Sequence, residues 1–526
     1  MKSPADNQLY ASKNQEVENN NTSTILPLVA YGIVFTTSAC GLTLEIVAGR
    51  ILAPSIGVSL YTWTSIIGIC LAGISLGNYL GGVLADRRPQ RHILGLVLFS
   101  SGLSSLAILP LIELTSGQFD NISIMFRIVV LTTILFFFPS LLMGMVTPIV
   151  VKLRLNNIAQ AGNIVGKTYA VSTAGSIFGT FITGFFLIQW IGTRSIVLAV
   201  AIVILLLSVA VGRLWEIRRP GAALLTIFIG LMALVIWTGA LRSHCEVESS
   251  YFCITISEEK SNGRDIRVLI LDKLVHSHVD LDDPTFLVYG YEKVLGDIST
   301  YVGERKPNFR SLFIGGGGYT MPRFIDLKYP KSHVEVIEID PAVTDVVHDY
   351  FGMPRDTQIV TYNQDARAKL LELPLKTYDL IVGDAFDHFS VPYHLTTLEF
   401  NELVKDLLAD DGIYTVNIVD KLHEGRMLRA IVNTMQKTFK NVYVMRDFDD
   451  WNLDDRHTFV VAGTDIEIML SDIEKSNTLA GRFNTTSHIM PSSTLITWLN
   501  SKENILLTDD YVPVDNLLAP LFLEDG

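Results

Sequence analysis

The sequence predicts two parts of different fold class, an all-α transmembrane bundle followed by an α/β doubly wound domain. Long apolar stretches fill the first half, whereas strand and helix patterns alternate in the second. The two halves also differ in charge. Residues 1–244 carry 15 basic and 8 acidic residues, a net charge of +7, and residues 245–526 carry 26 and 46, a net charge of −20.

The first half predicts an integral protein of the cell inner membrane. Residues 1–24 are polar and rich in Asn, which predicts a disordered tail and not a signal peptide. Seven apolar stretches follow within residues 25–244, and each is about long enough to cross a bilayer, which takes roughly 20 helical residues. They are Ile25–Ile46, Tyr61–Leu84, Ile93–Leu114, Met125–Val151, Ile164–Trp190, Ser195–Val211 and Ala222–Leu241.

Two patterns in the second stretch suggest how this bundle is built. Gly73, Gly77 and Gly81 recur every fourth residue, so they should share one helix face against which a neighbouring backbone packs closely. The loop that follows, Gly81–Arg91, resembles the cytoplasmic loop signature of major facilitator transporters. That resemblance covers about six spans, half of such a transporter.

Basic loop residues predict the orientation in the membrane. They concentrate at Arg87–Arg91, Lys152–Arg154 and Arg213–Arg219, after even-numbered spans, which places the N-terminus in the cytoplasm. Seven spans then place the acidic half outside the cytoplasm. Cys245 and Cys253 lie at its start and could form a disulfide there, because extracytoplasmic compartments are oxidising.

The second half is organised around a glycine run. Ser311–Ile314 predicts a buried parallel strand, and the four glycines that follow predict a tight turn. In such a turn the backbone N–H groups of Gly315, Gly316 and Gly317 can approach a ligand closely.

Acidic residues end the next three predicted strands. Glu338 follows the second strand at the spacing at which nucleotide-binding β–α–β units place a carboxylate for a ribose diol. Asp365 and Asp384 follow the third and the fourth strands. Because ligands of doubly wound sheets bind outside the carboxyl ends of the strands, the glycine run and these acids should line one nucleoside site.

Taken in order, these motifs resemble those of the aminopropyltransferases, the spermidine and spermine synthases. The motifs are the glycine run, E-I-D from residue 338, Q-D-A from residue 364 and D-L-I-V-G-D-A-F-D ending at Asp387. The resemblance covers about Glu246 to the C-terminus. It implies a small β-domain at residues 245–300 and, at residues 301–526, the Rossmann-like fold of class I S-adenosylmethionine methyltransferases.

The resemblance also implies roles for single residues. Glu338 would bind the ribose of the donor, Asp365 would lie beside its adenine amino group, and His276 would face the nucleoside. Asp384 would be the catalytic residue that takes a proton from the attacking amine. Asp387 is a second candidate for binding the amine.

Two departures from the family pattern leave questions open. Tyr289 and Tyr291 are both candidates for the tyrosine of the amine site, because their offset from Glu292 differs from that of the family. The family's glycine run is typically followed by an aspartate that holds the donor's ammonium, whereas this chain has Gly318.

These features predict a membrane-integrated transferase of polyamine biosynthesis. Its co-substrate would be decarboxylated S-adenosylmethionine or S-adenosylmethionine, with no metal, and its partners a polyamine or another small amine and the lipid bilayer. The acidic half argues against nucleic acid, and a homodimer is left open. A methyltransferase or another S-adenosylmethionine-consuming enzyme is one alternative. A polyamine or nucleoside transporter or sensor with a binding-only domain is the other.

Overall fold

The chain consists of two structural units, and the boundary between them lies between His244 and Cys245. The computed structural model describes residues 25–115, 117–119, 122–155, 157–212, 218–261, 263–385, 391–482 and 484–523. The predicted tail at residues 1–24 and the amine candidate Asp387 lie outside the described residues.

The apolar stretches of the first unit form long helices, in which every interior backbone N–H and C=O group is bonded within the helix itself. They are α1 (Pro27–Ile56), α2 (Leu60–Arg87), α3 (Arg91–Thr115), α4 (Ile124–Arg154), α5 (Ile158–Ile191), α6 (Thr193–Gly212) and α7 (Arg218–Trp237). Five-residue π-helical segments interrupt α4 at Thr133–Phe137 and α5 at Thr183–Leu187.

Six of these helices, α1 to α6, are long and apolar enough to cross a membrane. The seventh predicted span, Ala222–Leu241, corresponds to α7, whose apolar part within the described residues, Ala223–Trp237, is shorter. The region is therefore compatible with a membrane-spanning bundle, and the count of seven spans stays a prediction.

The glycine face of α2 packs against α4. Gly73, Gly77 and Gly81 are all buried. A Cβ atom added at Gly73 would lie 2.9 Å from the carbonyl oxygen of Phe137, and one at Gly81 would lie 2.6 Å from that of Met145. The face lets the two backbones approach closely, as its spacing predicts.

The second unit opens with a small antiparallel sheet of four strands in the order β1-β2-β3-β4. These are β1 (Val247–Glu248), β2 (Cys253–Ser261), β3 (Arg264–Leu271) and β4 (Leu274–Asp280). Cys245 and Cys253 form a disulfide that closes the hairpin of β1 and β2. The helix α8 (Gly290–Arg305) follows, so the boundary predicted at residue 300 falls inside a helix.

A larger mixed sheet forms the rest of the unit. Its strands are β5 (Arg310–Ile314), β6 (His333–Ile337), β7 (Val360–Tyr362), β8 (Tyr378–Gly383), β9 (Leu408–Asp420), β10 (Asn441–Arg446), β11 (His457–Thr464) and β12 (His488–Ile489). Its helices are α9 (Thr320–Lys328), α10 (Pro341–Tyr350), α11 (Ala366–Leu370), α12 (Leu398–Leu407), α13 (Met427–Thr438), α14 (Leu470–Leu479), α15 (Ser492–Asn500) and α16 (Val514–Leu523).

The described strands of this sheet lie in the order β12-β10-β11-β9-β8-β5-β6-β7. The five from β9 to β7 are parallel, and β11, β10 and β12 continue the sheet antiparallel. This is the predicted Rossmann-like arrangement, with β12 as an additional edge strand. Strand β9 begins at Leu408 and runs through Asp411-Gly412, although such a pair is typical of a turn.

The central strands are apolar because helices cover both faces of the sheet, as expected for parallel strands. Phe313 of β5, Val336 of β6, and Leu380 and Val382 of β8 are at most 2% exposed. Polar groups therefore concentrate where these strands end, at the carboxyl edge of the sheet.

Candidate active site

Backbone hydrogen bonds join the ends of strands β8, β5, β6 and β7 into one continuous edge. The Gly315 N–H donates to the carbonyl of Ile337 at 2.8 Å, and the Glu338 N–H donates to that of Tyr362 at 3.0 Å. The Asp384 N–H donates to the carbonyl of Ile314, also at 2.8 Å. The residues that follow these strands are thus held side by side, as the doubly wound fold predicts.

The glycine run forms a turn that only glycine fits at two positions. Gly315 has φ = 99° and Gly317 has φ = 49°, in the left-handed region where a side chain is strained. A Cβ atom at Gly315 would also meet the carbonyl group of Asp384. Gly315, Gly316 and Gly317 all line the cleft at this edge, where the sequence places a nucleoside.

Glu338 lies in the same cleft and is held by backbone N–H groups. Its Oε2 accepts from Gly316 at 2.8 Å and its Oε1 from Asp340 at 2.9 Å. The side chain is 6% exposed, and burial raises its pKa. Each oxygen retains a second lone pair, so the carboxylate can also accept from two vicinal hydroxyls.

Asp365 caps α11 and pairs with a histidine that the sequence reasoning did not identify. Its Oδ1 accepts from the Ala368 N–H at 2.9 Å, and its Oδ2 lies 2.9 Å from Nε2 of His394. His394 belongs to a short 3₁₀ turn 29 residues further along the chain. Both side chains line the cleft, so the two form one polar wall.

Asp384 is held by side chains. Asn417 on β9 donates its Nδ2 to Oδ1 at 2.6 Å, and the Tyr291 hydroxyl also donates to this carboxylate. Removal from bulk water raises the pKa of Asp384 to about 6, although both hydrogen bonds act to lower it. The same desolvation raises the pKa of Tyr291 well above its usual value, so its hydroxyl stays protonated and can donate.

Glu292 is a second carboxyl beside Asp384 that the sequence reasoning did not assign to the site. It is 2% exposed and lines the cleft, and its Oε2 accepts from the Tyr289 N–H at 3.2 Å. Burial, together with the nearby Asp384, raises its pKa to about 8. The carboxyl group of Glu292 is therefore mostly protonated near neutral pH, and a bound cation would favour its ionised form.

His276, which the resemblance places near the nucleoside, lines the cleft as well. Burial lowers the pKa of its imidazole to about 4, so the ring is neutral at physiological pH. Its Nε2 is buried and has no hydrogen-bond partner within the described part of the chain. A ligand in the cleft can supply that partner.

The structure separates the two tyrosine candidates. Tyr291 lines the cleft and contacts Asp384, whereas Tyr289 points to the small sheet, where its hydroxyl donates to the carbonyl of Val275 at 3.4 Å. The Tyr289 ring also packs edge-on against His278, with centroids 4.5 Å apart. The spacing alone could not separate them, because both residues lie at the start of α8.

Gly318 is enclosed by the small sheet. Its N–H donates to Oγ of Ser277 at 2.7 Å, and a Cβ atom built on it would lie 2.6 Å from the Cβ of Ser277. A side chain at this position requires Ser277 to move. The aspartate that the resemblance leads one to expect here would need Ser277, on the neighbouring strand β4, to shift.

The whole cleft has an empty volume of about 1000 Å³, including the part open to solvent. Four carboxyl groups line it, those of Glu292, Glu338, Asp365 and Asp384, and no Lys or Arg lines it among residues whose positions are described. The cleft therefore favours cationic ligands.

A C-terminal segment braces the wall formed by Asp365 and His394. Asp509 accepts two hydrogen bonds from Arg367, at 2.7 and 2.5 Å, and a third from the Thr397 hydroxyl at 2.8 Å. Arg367 also donates to the carbonyl of His394 at 3.1 Å. The contacts of Asp509 join residues more than 100 positions apart, so no local sequence signal could have revealed them.

Comparison with known proteins bears on this geometry. Residues 293–446 match the model of the spermine/spermidine synthase domain. The matched range includes the glycine run and the three strand-end acids. The C-terminal unit contains a spermidine synthase domain.

Two relatives differ in how much of this chain they match. A polyamine aminopropyltransferase of Vibrio vulnificus is 35% identical over 128 residues, which are 23% of this chain and 43% of that protein. Polyamine aminopropyltransferase 1 of Ralstonia nicotianae is 23% identical over 492 residues, or 86% of this chain and 87% of that protein. The chain thus spans less than half of the first relative and most of the second.

Among solved structures, a probable spermidine synthase from Corynebacterium glutamicum is similar, with a TM-score of 0.43 and 21% identity. The similar region covers 48% of this chain and 93% of the Corynebacterium chain. The domain match and the relatives confirm the predicted resemblance of this region to the aminopropyltransferases.

Proposed function

We propose that the C-terminal unit transfers an aminopropyl group from decarboxylated S-adenosylmethionine to an amine and releases methylthioadenosine. The main observation that supports this proposal is the charge of the cleft. Both substrates of the reaction are cations, a sulfonium with a terminal ammonium and a polyamine. Four carboxyl groups line the cleft, and none of its described lining residues is Lys or Arg.

The nucleoside of the donor would lie along the glycine run. Glu338 would accept from its ribose hydroxyls, and the wall of Asp365 and His394 would face its base. The neutral imidazole of His276 would offer its unpartnered Nε2 to the bound nucleoside. These groups span one continuous surface of the cleft.

Asp384 would be the base of the transfer. A free alkyl ammonium has a pKa of about 10.4, so the amine must lose a proton to become a nucleophile. Its nitrogen then forms a bond to the carbon of the aminopropyl group next to sulfur, the C–S bond breaks, and its electron pair stays on the thioether of methylthioadenosine. The proton passes to Asp384, whose raised pKa of about 6 makes it a stronger base than an ordinary aspartate while still ionised at pH 7.

Tyr291 and Asn417 would act as positioning residues for this base. Their hydrogen bonds fix the orientation of the Asp384 carboxylate before the amine arrives. The donor's ammonium would interact with Glu292 and Asp384, since Gly318 has no room for the aspartate that the family uses. Asp387 remains a candidate for the amine, outside the described residues.

A methyltransferase would use the same Glu338 and Asp365. Its donor, S-adenosylmethionine, carries an additional carboxylate, which the ionised acids of the cleft would repel and which no described Lys or Arg of the cleft would attract. A transporter or sensor whose soluble domain only binds its ligand would show no turnover.

Product analysis tests these three functions. The purified full-length protein is incubated with decarboxylated S-adenosylmethionine or S-adenosylmethionine and a set of polyamines, and the nucleoside released is identified. Methylthioadenosine that forms only when an amine is present supports the proposal. S-adenosylhomocysteine would show methyl transfer, and tight binding without product would show a binding domain.

We further propose that the protein is integrated in the membrane with its spermidine synthase domain outside the cytoplasm. Basic residues recur at three loops after even-numbered spans, and the disulfide between Cys245 and Cys253 suits an oxidising compartment. A reporter that is active only outside the cytoplasm should work when fused after Gly526. An active cytoplasmic reporter with a silent external one would contradict this orientation and mean either that α7 does not span or that the N-terminus lies outside the cytoplasm.

A further inference from the structure

The disulfide between Cys245 and Cys253 closes a hairpin whose tip reaches the candidate nucleoside site. Strands β1 and β2 pair Val247 with Ile254 and Glu248 with Cys253. The tip between them, Ser249 to Phe252, is a closed turn. The Ser249 N–H donates to the carbonyl of Phe252 at 2.9 Å.

One side chain organises this tip. Oγ of Ser249 accepts from the backbone N–H groups of Tyr251 at 3.0 Å and Phe252 at 2.8 Å. The same hydroxyl donates its proton to Oδ2 of Asp340. Ser249 is 8% exposed and Asp340 is 1% exposed, so this contact is shielded from water.

Asp340 connects the tip to the ribose carboxylate. It caps α10 by accepting from the Ala342 N–H at 3.0 Å, and its own N–H donates to Oε1 of Glu338 at 2.9 Å. Glu338 in turn accepts from the Gly316 N–H. A continuous series of hydrogen bonds therefore runs from the hairpin tip to the glycine run.

The tip also contributes a surface of the cleft. Phe252 lines it together with Leu271, which lies at the end of β3. The Cys253 N–H donates to Oδ1 of Asp272 at 2.9 Å, so the disulfide-bonded residue also fixes the turn that follows Leu271. Both apolar side chains thus depend on the position of Cys253.

We propose that the Cys245–Cys253 disulfide is a positioning element of the nucleoside site, because it holds Phe252 against the cleft and, through Ser249 and Asp340, holds Glu338. This rests on the proposed function, since the ligand is taken to be a nucleoside. When the disulfide is reduced, the hairpin tip is held only by non-covalent contacts, and the wall it forms becomes mobile. Nucleoside affinity would then depend on the redox state of the domain.

The test uses the folded full-length protein, oxidised or reduced with a phosphine, with the two freed thiols counted by mass spectrometry after alkylation. Two quantities are measured in each state, the Kd for methylthioadenosine by calorimetry and the hydrogen exchange of peptides covering residues 246–252 and 337–343. Reduction should raise the Kd about tenfold, which corresponds to about 1.4 kcal/mol. It should also speed exchange in both peptides.

Variants separate the covalent bond from the contacts it holds. Ser249→Ala keeps the disulfide but removes the hydroxyl between the tip and Asp340, and it should raise the Kd in the oxidised protein, with Ser249→Thr restoring it. Tyr251→Phe is the matched control. It removes one hydroxyl from the same turn, its ring is 46% exposed, and both Kd and exchange should stay at wild-type values.

Two outcomes would overturn the inference. One is complete reduction without a change in Kd or in exchange of residues 337–343. The other is a Ser249→Ala variant that matches wild type in both. If methylthioadenosine does not bind even the oxidised protein, the proposed nucleoside is wrong, but faster exchange at residues 337–343 on reduction would still support the coupling. The exchange readout thus distinguishes failure of the inference from failure of the proposed function.

Discussion

The two ends of the cleft hold their carboxylates by different kinds of contact. Glu338, at the proposed nucleoside end, accepts from the backbone N–H groups of Gly316 and Asp340. Asp384, at the proposed amine end, accepts from the side chains of Asn417 and Tyr291. Backbone contacts fix the Glu338 carboxylate as firmly as the strand ends themselves, whereas side-chain contacts fix the orientation of the Asp384 carboxylate and oppose the rise in pKa that burial causes.

This difference suits two tasks. A ribose needs a carboxylate in a fixed place with a constant charge. A base must change its protonation state during the reaction, and its pKa is best placed between that of a carboxylate in water and the working pH. The pKa of about 6 for Asp384 meets this requirement. Mutations at the two ends should therefore affect different kinetic constants.

Asp384→Asn should have the largest effect. We expect kcat to fall by roughly 10²–10⁴, the usual contribution of a general base, while the Kd for methylthioadenosine stays unchanged. Turnover is measured by nucleoside release and affinity by calorimetry. Asp410→Asn, which changes an acid that is 97% exposed outside the cleft, is the control for charge. Near-normal turnover in Asp384→Asn would remove Asp384 from the catalytic role.

Glu338→Ala should show the opposite pattern. Hydrogen bonds to a charged group contribute roughly 1.5–3 kcal/mol each, so losing one or both of the bonds to the ribose diol should raise the Kd for methylthioadenosine by at least about 10-fold. Calorimetry on the full-length protein measures it, with circular dichroism to show that the variant folds. A folded variant that binds methylthioadenosine as tightly as wild type would mean that the ribose lies elsewhere.

The pH dependence of kcat/KM should report the environment of Asp384. The base acts only when ionised, so activity is present above its pKa and is lost as the pH falls through about 6. Asn417→Ala removes a hydrogen bond that lowers this pKa, so the acid limb should move to higher pH. An acid limb near pH 4 in wild type, or one that does not move in the variant, would contradict this assignment.

Asp509→Asn should have the smallest effect, confined to the nucleoside end. The substitution weakens the bidentate contact with Arg367, which supports the wall of Asp365 and His394. We expect a rise of a few-fold in the KM for the donor with little change in kcat, since charged contacts this exposed contribute about 1 kcal/mol or less. Asp510→Asn makes the same charge change one residue further on. Equal effects of the two variants would exclude a specific role for Asp509.

The part of the site that depends on strand ends could be predicted from the sequence. Glu338, Asp365 and Asp384 each directly follow or lie close to the end of a short apolar run, and the fold brings such ends to one edge. The fold itself was predictable for the same reason, because apolar runs and glycines mark parallel strands and their turns. The start of β9 could not be predicted in this way, since the strand runs through Asp411-Gly412, a pair typical of a turn.

The rest of the candidate site depends on residues that are distant in sequence. His394 reaches Asp365 from another segment, and Asn417 reaches Asp384 from a strand 33 residues further along the chain. Glu292 has the spacing of a helix cap, and its second role as a cleft residue follows only from the packing of α8. Local patterns carry no information on such contacts, so this half of the site required the structure.

The enclosure of Gly318 also limits how this domain can change over evolutionary time. An aspartate introduced there alone would collide with Ser277, and loss of the Ser277 hydroxyl alone would remove the acceptor that the Gly318 N–H uses. The two positions are therefore coupled, and a single substitution at either one passes through a less stable intermediate. A carboxylate at position 318 therefore needs a background in which position 277 has already lost its side chain, so the order of the two mutations matters.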